Sequence, residues 1–447
     1  MTAPSTPIDA RIVRAEDLER SGQSLQAERL YMEVLEANPA HSVAARRAAH
    51  LALRRQDTGR AIDLLTRARA ASPLDTDLTI DQALIEHTLG RRLEARHLLE
   101  SAVSTQPDCF TAWLLLGKLH QDANNRRGML SAWFEAVTHA QRVGQWRGPE
   151  STPPHLSAVV IEAIQTVRDG RGDLFRWSYE DLRLEHGTQS LRRVDHALAG
   201  YLGEFDPTPA DPRQRPRFLY FPGLPEGPFH DPSLQPFAPS LNAAFQAIRD
   251  EALQLIQVRH RLEDFVQLGP NGRMSDFVGG EGENPAWEAF FFYRHGERYD
   301  DNHVLCPRTS AVLESIELCR IDEQSPEICF SWLGPGSHIL PHHGVTNVRL
   351  VMHLALVVPP HCALKIPGCR PYEWREGELM MFDDTYEHEA WNRSHGVRVV
   401  LLMDCWNPHL TAVEKQACRR LIEAVGRLRH ATTPPRTRTT SPNVAPK

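Results

Sequence analysis

The 447-residue chain has no run of 18 apolar residues, so no membrane-spanning helix is expected along it. It also lacks a surplus of positive charge. With 50 Lys+Arg against 57 Asp+Glu the formal net charge is −7, and no nucleic-acid partner and no membrane surface is expected. None of the eight cysteines, at 109, 306, 319, 329, 362, 369, 405 and 418, forms a C-x-x-C pair, which argues against zinc knuckles and redox dithiols. Reduced thiols, mostly buried in strands, are expected instead. The first twenty residues carry no apolar stretch of the kind a secretory signal needs, and a cytoplasmic address is the expectation. A hydrophobic content of 41% with 24% charged residues describes a globular protein, and the length predicts two or three domains.

What is present begins with a period. Pro39, Pro73 and Pro107 follow one another at intervals of 34 residues. Before each proline, at matching distances, come Ala27, Ala61 and Ala95, then Tyr31, Leu65 and Leu99, then Val34, Ala68 and Ala102. The small residues let two helices approach closely, and the proline stops the second. This pattern resembles the tetratricopeptide repeat, a helix–turn–helix unit. A fourth unit opens at Ala112, with Trp113 and Gly117 in consensus places. Its second helix, over 129–140, is expected to be displaced by a short insertion at Asn124-Asn125. The resemblance covers residues 1–144 and implies either a plain scaffold or a concave face that recruits a peptide or protein substrate.

Residues 145–214 read as a helical extension with linkers, Gly- and Pro-rich over 145–154 and broken again by the prolines between Asp206 and Pro212. The texture changes from 215. Arg217–Phe221 is a strand candidate ahead of a Pro222-Gly-Leu-Pro225 turn, and 241–258 has the period of an amphipathic helix. Short apolar runs then alternate with turn residues, predicting strands over 290–293, 328–333, 348–358, 363–366, 378–382 and 397–405. Many short strands without long intervening helices suggest a jelly roll over 215–430, that is, a double-stranded β-helix behind an α-solenoid. The Thr-, Pro- and Arg-rich stretch 431–447 reads as a disordered tail.

Eight of the 22 histidines fall between 338 and 409. His342 lies in a turn between strand candidates, and His388 follows a later strand. Two imidazoles at matching ends of neighbouring strands suit a metal site in such a fold. A non-haem iron centre ordinarily adds a carboxylate two residues after the first histidine, but Gly344 stands there and cannot ligate. From the residues alone the metal therefore stays open against ordinary structural histidines. Arg398, Val400, Leu402 and Asp404 share one strand face; a guanidinium inside a barrel calls for an anion, either a bound carboxylate or a structural aspartate. His353 shares a face with Arg349 and Val351, as an exchangeable site residue or as a hydrogen-bonded core histidine. One of Asp383 and Asp384 is expected to orient an imidazole N–H, or else to cap a turn.

The stretches Pro341–Pro359, Trp374-Arg-Glu-Gly-Glu378, Phe382-Asp-Asp384 with Glu387-His-Glu389, and Arg398 with Asp404–Pro408 together resemble the catalytic core of the aspartyl/asparaginyl β-hydroxylases. Those are Fe(II)- and 2-oxoglutarate-dependent dioxygenases that lack the iron-binding carboxylate. Taken residue by residue, the resemblance implies His342 and His388 as the Fe(II) ligands and Arg398, His353 and Ser331 as contacts to 2-oxoglutarate, with O2 as the second co-substrate. Val351 departs from the pattern, since vertebrate members carry a second arginine there; Arg349, two residues earlier on the same face, is the candidate to compensate. The implied reaction is hydroxylation at Cβ of an Asp or Asn in a peptide or protein. A lipid or small-peptide substrate, a non-catalytic scaffold with a degenerate oxygenase domain, and a hydrolase using the two histidines with Asp384 are the alternatives.

Overall fold

Residues that recur every 34 positions fold into helices that recur with the same spacing. In a computed structural model, which describes residues 8–258, 262–268, 272–281 and 285–432, the first helices of the four repeats are α1 (Ile8–Arg20), α3 (Ser42–Arg54), α5 (Thr76–Thr88) and α7 (Phe110–Asp122). The second helices are α2 (Ser24–Ala37), α4 (Thr58–Ala71), α6 (Arg92–Thr105) and α8 (Arg126–Arg142). Side chains of His41, Asp57, Asp75 and Asn125 accept N–H bonds at helix starts, satisfying donors that the helix itself cannot. Ala27, Ala61 and Ala95 are fully buried where paired helices meet.

The displaced fourth repeat is not observed. The turns at Gly22, Gln56, Gly90 and Asn124 all have positive φ, and α8 starts 34 residues after α6, so Asn124 supplies the left-handed turn residue that glycine supplies elsewhere and nothing is inserted. Trp133 takes the place of Tyr31, Leu65 and Leu99, with its indole N–H donating to Leu114 O at 3.1 Å. The bulk fits because residue 117 is glycine.

The chain divides into two compact units, Met1–Arg171 with the chain from Arg427 onward, and Gly172–Gly426. The extension read as one piece over 145–214 is thus split, Ser157–Asp169 falling in the first unit and Arg192–Leu202 in the second. The last helix continues to Thr432, and the rest of the tail, 433–447, lies outside the described residues.

In the second unit nine strands carry the architecture: β1 (Trp287–Arg294), β2 (Ile328–Leu333), β3 (Ser337–His342), β4 (Arg349–Val357), β5 (Cys362–Lys365), β6 (Tyr372–Glu373), β7 (Leu379–Phe382), β8 (His388–Asn392) and β9 (Arg398–Trp406). One antiparallel sheet runs β7-β4-β9-β2-β1, with short edge strands added, and the other runs β6-β5-β8-β3 and ends on Val278–Gly280. Side-chain alternation sorts the first sheet's faces. Met352, Leu354, Leu401 and Met403 pack outward with Leu241 and Ile248 of α9 (Ala238–Gln257). Val351, Ala355, Phe382 and Val400 meet Ile339, Leu364 and Ala390 of the second sheet in a shared core. The Arg398 and His353 side chains belong to this inner face by parity.

Strands β3 and β8 were not expected from sequence. Each is short, β3 carries two histidines and β8 one, and each has a single buried apolar residue, Ile339 or Ala390, so its composition reads as turn. Conversely, Arg217–Phe221 is not a strand but makes a single bridge, Leu219 to Thr346. Of the cysteines, all unpaired, only Cys329, Cys362 and Cys405 lie in strands; Cys306, Cys319 and Cys418 are buried elsewhere.

A Cβ on Gly117 would lie 2.1 Å from Trp133 Cδ1. Gly117→Ala is expected to destabilise the repeat array by about 1–3 kcal/mol through overpacking, read as a lower Tm with altered Trp emission.

Candidate active site

His342 closes β3 and His388 opens β8, and the two are direct cross-strand Cα partners. Their rings stand 4.1 Å apart between centroids, inclined by 54°. Each ring uses Nδ1 on the carbonyl two residues earlier in the chain, His342 on Leu340 O at 2.8 Å and His388 on Tyr386 O at 2.9 Å. A carbonyl accepts only, so each Nδ1 carries the proton and each Nε2 keeps its lone pair for an electrophile. Burial lowers the His342 pKa and takes His388 down to about 3, with the neighbouring imidazole adding to the effect on His388. Both rings are therefore neutral, the state a metal ligand needs. Phe382 packs edge-on to His388, and Trp287 tilts over His342.

The missing third ligand has a steric counterpart. A Cβ at Gly344 would fall 2.0 Å from Cγ of Asp384, so that carboxyl already fills the space a side chain at 344 would need. Gly344 N–H donates to Asp384 O at 2.5 Å, joining the turn after His342 to the turn before His388. Burial, opposed by Arg349, raises the Asp384 carboxyl to about 7, and its Oδ1 has no hydrogen-bond partner among the described residues. Among the described residues no set of three His, Cys, Asp or Glu side chains converges to hold a metal. The expectation that an aspartate orients an imidazole is corrected: backbone carbonyls do so. Asp383 instead caps its turn, accepting from Thr385 N at 2.9 Å and Thr385 Oγ1 at 2.6 Å.

Arg398 lies on β9 and is 2% exposed, yet its Nε and Nη1 have no partner among the described residues. No aspartate pairs with it. Its guanidinium sits 4.9 Å from the centre of the Trp374 ring, and burial lowers its pKa to about 10. His353 on β4 is also buried, and both of its ring nitrogens are unpartnered, as is Trp374 Nε1. Burial, then the charge of Arg398, then His388 hold His353 well below the usual histidine range, so it is neutral and close to both. Three ring-nitrogen sites without a partner among the described residues, beside a charged guanidinium with two unpartnered nitrogens of its own, make an interior suited to an anion. Ser331 on β2 is buried and accepts from Trp287 Nε1 at 3.0 Å, which links it to the indole over His342. Neither Trp287 nor Trp374 carried a role in the sequence reading; a tryptophan has no motif of its own.

Arg349 is placed differently. Its guanidinium pairs with Asp404, which is 1% exposed and also accepts from Ser325 Oγ at 2.9 Å and Glu327 N at 2.8 Å. Although burial opposes its charge, Asp404 and then Asp384 hold its pKa above the ordinary value. Arg349 thus bridges the Asp384 side of the site to a buried acidic pair. Glu327, in the same network, is raised to about 7 by burial.

The fold and site define a helical-repeat protein whose antiparallel double sheet carries a two-histidine pair beside a buried, unsatisfied cation. The family profile described as Aspartyl/Asparaginyl beta-hydroxylase matches residues 242–408, and that of the Tetratricopeptide repeat matches 12–76 and 80–125. Aspartate beta-hydroxylase domain-containing protein 2 of Mus musculus is 32% identical over 292 residues, 60% of this chain and 82% of that protein. Aspartyl/asparaginyl beta-hydroxylase of Homo sapiens is 31% identical over 182 residues, 40% of this chain but only 22% of that protein. Ornithine lipid ester-linked acyl 2-hydroxylase of Rhizobium tropici is 30% identical over 184 residues, 40% of this chain and 61% of that protein. The chain belongs to the aspartyl/asparaginyl beta-hydroxylase family, and hydroxylation is the class of chemistry that membership assigns to it. No helix among the described residues is long and apolar enough to cross a membrane.

Two measurements test the electrostatics. Arg398→Met removes an unpaired buried charge, so the ligand-free protein should gain about 1–3 kcal/mol of stability; a Tm below that of the unsubstituted protein would count against an unsatisfied guanidinium. Glu327 has a raised folded pKa, so its contribution is fully present below the unfolded value near 4.5 and is lost as pH rises through about 7. Glu327→Gln should therefore leave Tm unchanged at pH 4 and raise it by a few degrees at pH 8.

Proposed function

We propose that the double sheet is a jelly-roll oxygenase domain in which His342 and His388 hold Fe(II) through Nε2 and the Arg398 pocket holds 2-oxoglutarate. From β2 to β9 the strands fall in the order first, second, first, second, second, first, second, first sheet, which supports a jelly roll. The observation that carries the reading is the unpartnered Arg398 guanidinium, buried on the inner face with His353 between it and His388 in charge influence. The donor set fits the group: two neutral imidazoles with free Nε2 for a divalent iron, and a guanidinium for a distal carboxylate. When bound, iron with 2-oxoglutarate and O2 supplies oxidative decarboxylation to succinate coupled to hydroxylation of a C–H bond.

The chain's own residues bind and orient. Arg398 forms charge-assisted hydrogen bonds to the far carboxylate of the co-substrate, with Ser331 Oγ as a further contact, and Trp374 keeps water from the guanidinium face. His353, neutral, offers one N–H and one lone pair next to that group. Arg349, paired with Asp404, still favours the charged form of Asp384 in the absence of an arginine at 351. The array of 34-residue repeats offers a groove of about 870 Å³ lined by Arg46, Arg47, His50, Leu53 and Leu84, and a peptide or protein substrate presenting Asp or Asn for Cβ hydroxylation is the partner we assign to it. The named lipid hydroxylase among the relatives supports a second reading, an acyl-chain substrate on the same centre.

The test is an anaerobic titration of Fe(II)-loaded protein with 2-oxoglutarate, following the visible charge-transfer band of the chelate. The band should be present in the unsubstituted protein, absent in His388→Ala, and shifted to roughly tenfold or higher co-substrate concentration in Arg398→Ala, about what losing a charged hydrogen-bond pair costs. No band and no retained iron would leave a scaffold with a degenerate barrel. Aerobic turnover with peptide or ornithine-lipid acceptors, each scored by one added oxygen, separates the two substrate readings.

A further inference from the structure

The two turns that carry His342 and His388 share two direct bonds, Gly344 N–H to Asp384 O and His343 Nδ1 to Thr385 O at 3.1 Å. A segment far upstream holds them as well. Gln214 lies in an isolated bridge with Tyr386, and its Nε2 donates to Asp383 Oδ2 at 2.7 Å. Arg215 N–H donates to Thr385 O at 2.8 Å. Two residues on, Arg217 N–H donates to Gly344 O at 3.1 Å, and Phe218 and Leu219 N–H both reach Val345 O, at 2.9 and 3.1 Å. The segment is then locked by Asn347, whose Oδ1 accepts from Phe221 N at 2.7 Å and whose Nδ2 donates to Phe221 O at 2.9 Å. Gln214 and Asn347 are 4% and 2% exposed, so the two side-chain locks work away from water. Eight consecutive residues thus engage the turn before His388 with one end and the turn after His342 with the other. They lie upstream of the residues 242–408 that the family profile matches.

We infer that Gln214–Phe221 is a positioning strap, locked by the Gln214–Asp383 and Phe221–Asn347 hydrogen bonds, which sets the separation and mutual tilt of the His342 and His388 imidazoles. Ring orientation within each strand is fixed locally, by Nδ1 on the carbonyl two residues back. The spacing between rings is not, because β3 and β8 are short and their pairing is irregular between His388 and Ala390. A register that slips there needs an external brace, and hydrogen bonds from one rigid segment to both turns supply it. Gln214 is a positioning residue, since it acts through Asp383 and the turn rather than by touching a ligand. The consequence for metal binding rests on reading the two histidines as ligands; the spacing itself does not.

The lock can be reversed chemically. Gln214→Glu sets two carboxyl groups against each other, and Asp383→Ala removes the acceptor. The double swap Q214E/D383N restores a single N–H···O bond, with the residue at 383 donating and its carbonyl still free for Thr385. The first readout is the side-chain NMR of 13C-labelled histidine in the metal-free protein. Lines of His342 and His388 should shift or broaden in both single variants and return in the double swap, while buried His303, which bonds Ser310 Oγ at 2.7 Å, stays unchanged throughout. The second is Co(II) titration, where the single variants should raise Kd about tenfold and the swap should recover it, a change of about 1.4 kcal/mol. Unmoved His342 and His388 lines in the single variants overturn the strap, as does a swap that fails to recover them where the singles do not fold. If the lines respond but the unsubstituted protein binds no Co(II), the strap stands and the metal reading falls. If Co(II) binds with equal Kd in all four proteins, the strap falls and the metal reading stands.

Discussion

The site depends on one cross-strand pair. His342 and His388 are opposite each other in two short antiparallel strands, and residues so placed project to the same side of the sheet. Each ring is then oriented by an identical local bond, Nδ1 to the carbonyl two residues before it. This does two things at once. It fixes the tautomer, leaving both Nε2 atoms unprotonated, and it needs no acidic partner, so the rings carry no extra charge. Everything else at the site either holds this pair, as the turns around Gly344 and Asp383 do, or faces it across the sandwich, as β4 and β9 do.

The opposite sheet carries the energetic cost. A buried neutral histidine loses one or two hydrogen bonds, whereas a buried arginine keeps its charge and has nothing to give up. At Arg398 burial therefore concentrates in one residue. The Trp374 face offsets part of it, about 1–2 kcal/mol for a desolvated cation–π contact. The Cys329 and Cys362 thiols nearby are too weakly acidic to neutralise it, since burial raises both. The remaining deficit is what a ligand carboxylate would remove, and this makes the empty-state instability and the binding energy two views of the same unsatisfied group. Arg349 shows the contrast: fifty-odd residues away in sequence, Asp404 satisfies it permanently.

How much of this the sequence displayed varies by element. The repeat was legible because its constraints are local: a helix pair needs small residues at fixed spacing, and a turn needs a residue tolerant of positive φ. Even so, the register at Asn124 was misread, since asparagine in that place looks like an inserted loop until its φ of +54° shows it doing the work of Gly22 and Gly90. Inward faces of β4 and β9 followed from alternation, placing His353 and Arg398 correctly by parity. Strands β3 and β8 escaped because a half-buried strand of five or six residues with polar ends has too few apolar positions to announce itself. The strap and the two indoles were not legible at all: their partners lie 24 to 170 residues away, and no local pattern encodes such pairings. The family resemblance supplied what the pattern could not, naming His342, His388, Ser331, His353 and Arg398 together.

The absent third ligand has a physical explanation inside this chain. Gly344 is not merely a residue without a carboxylate. The place its side chain would occupy is taken by Asp384, delivered from the opposite turn. A carboxyl group is therefore present in the neighbourhood of the pair but is attached to different backbone, lies in contact with Gly344, and is raised to about 7 by burial. Burial thus disfavours the charged form of this carboxyl, so it adds less negative charge beside the imidazoles than an ordinary aspartate would. Arg349 then limits how far that pKa rises, and Asp404 holds Arg349 in place. The series Asp404, Arg349, Asp384, Gly344 thus connects a buried ion pair in one sheet to the turn that ends β3 in the other. Asp384 supplies both the atoms that fill the space beside Gly344 and a carboxyl near the two rings, which is why a glycine at 344 and an aspartate at 384 are best understood as one feature.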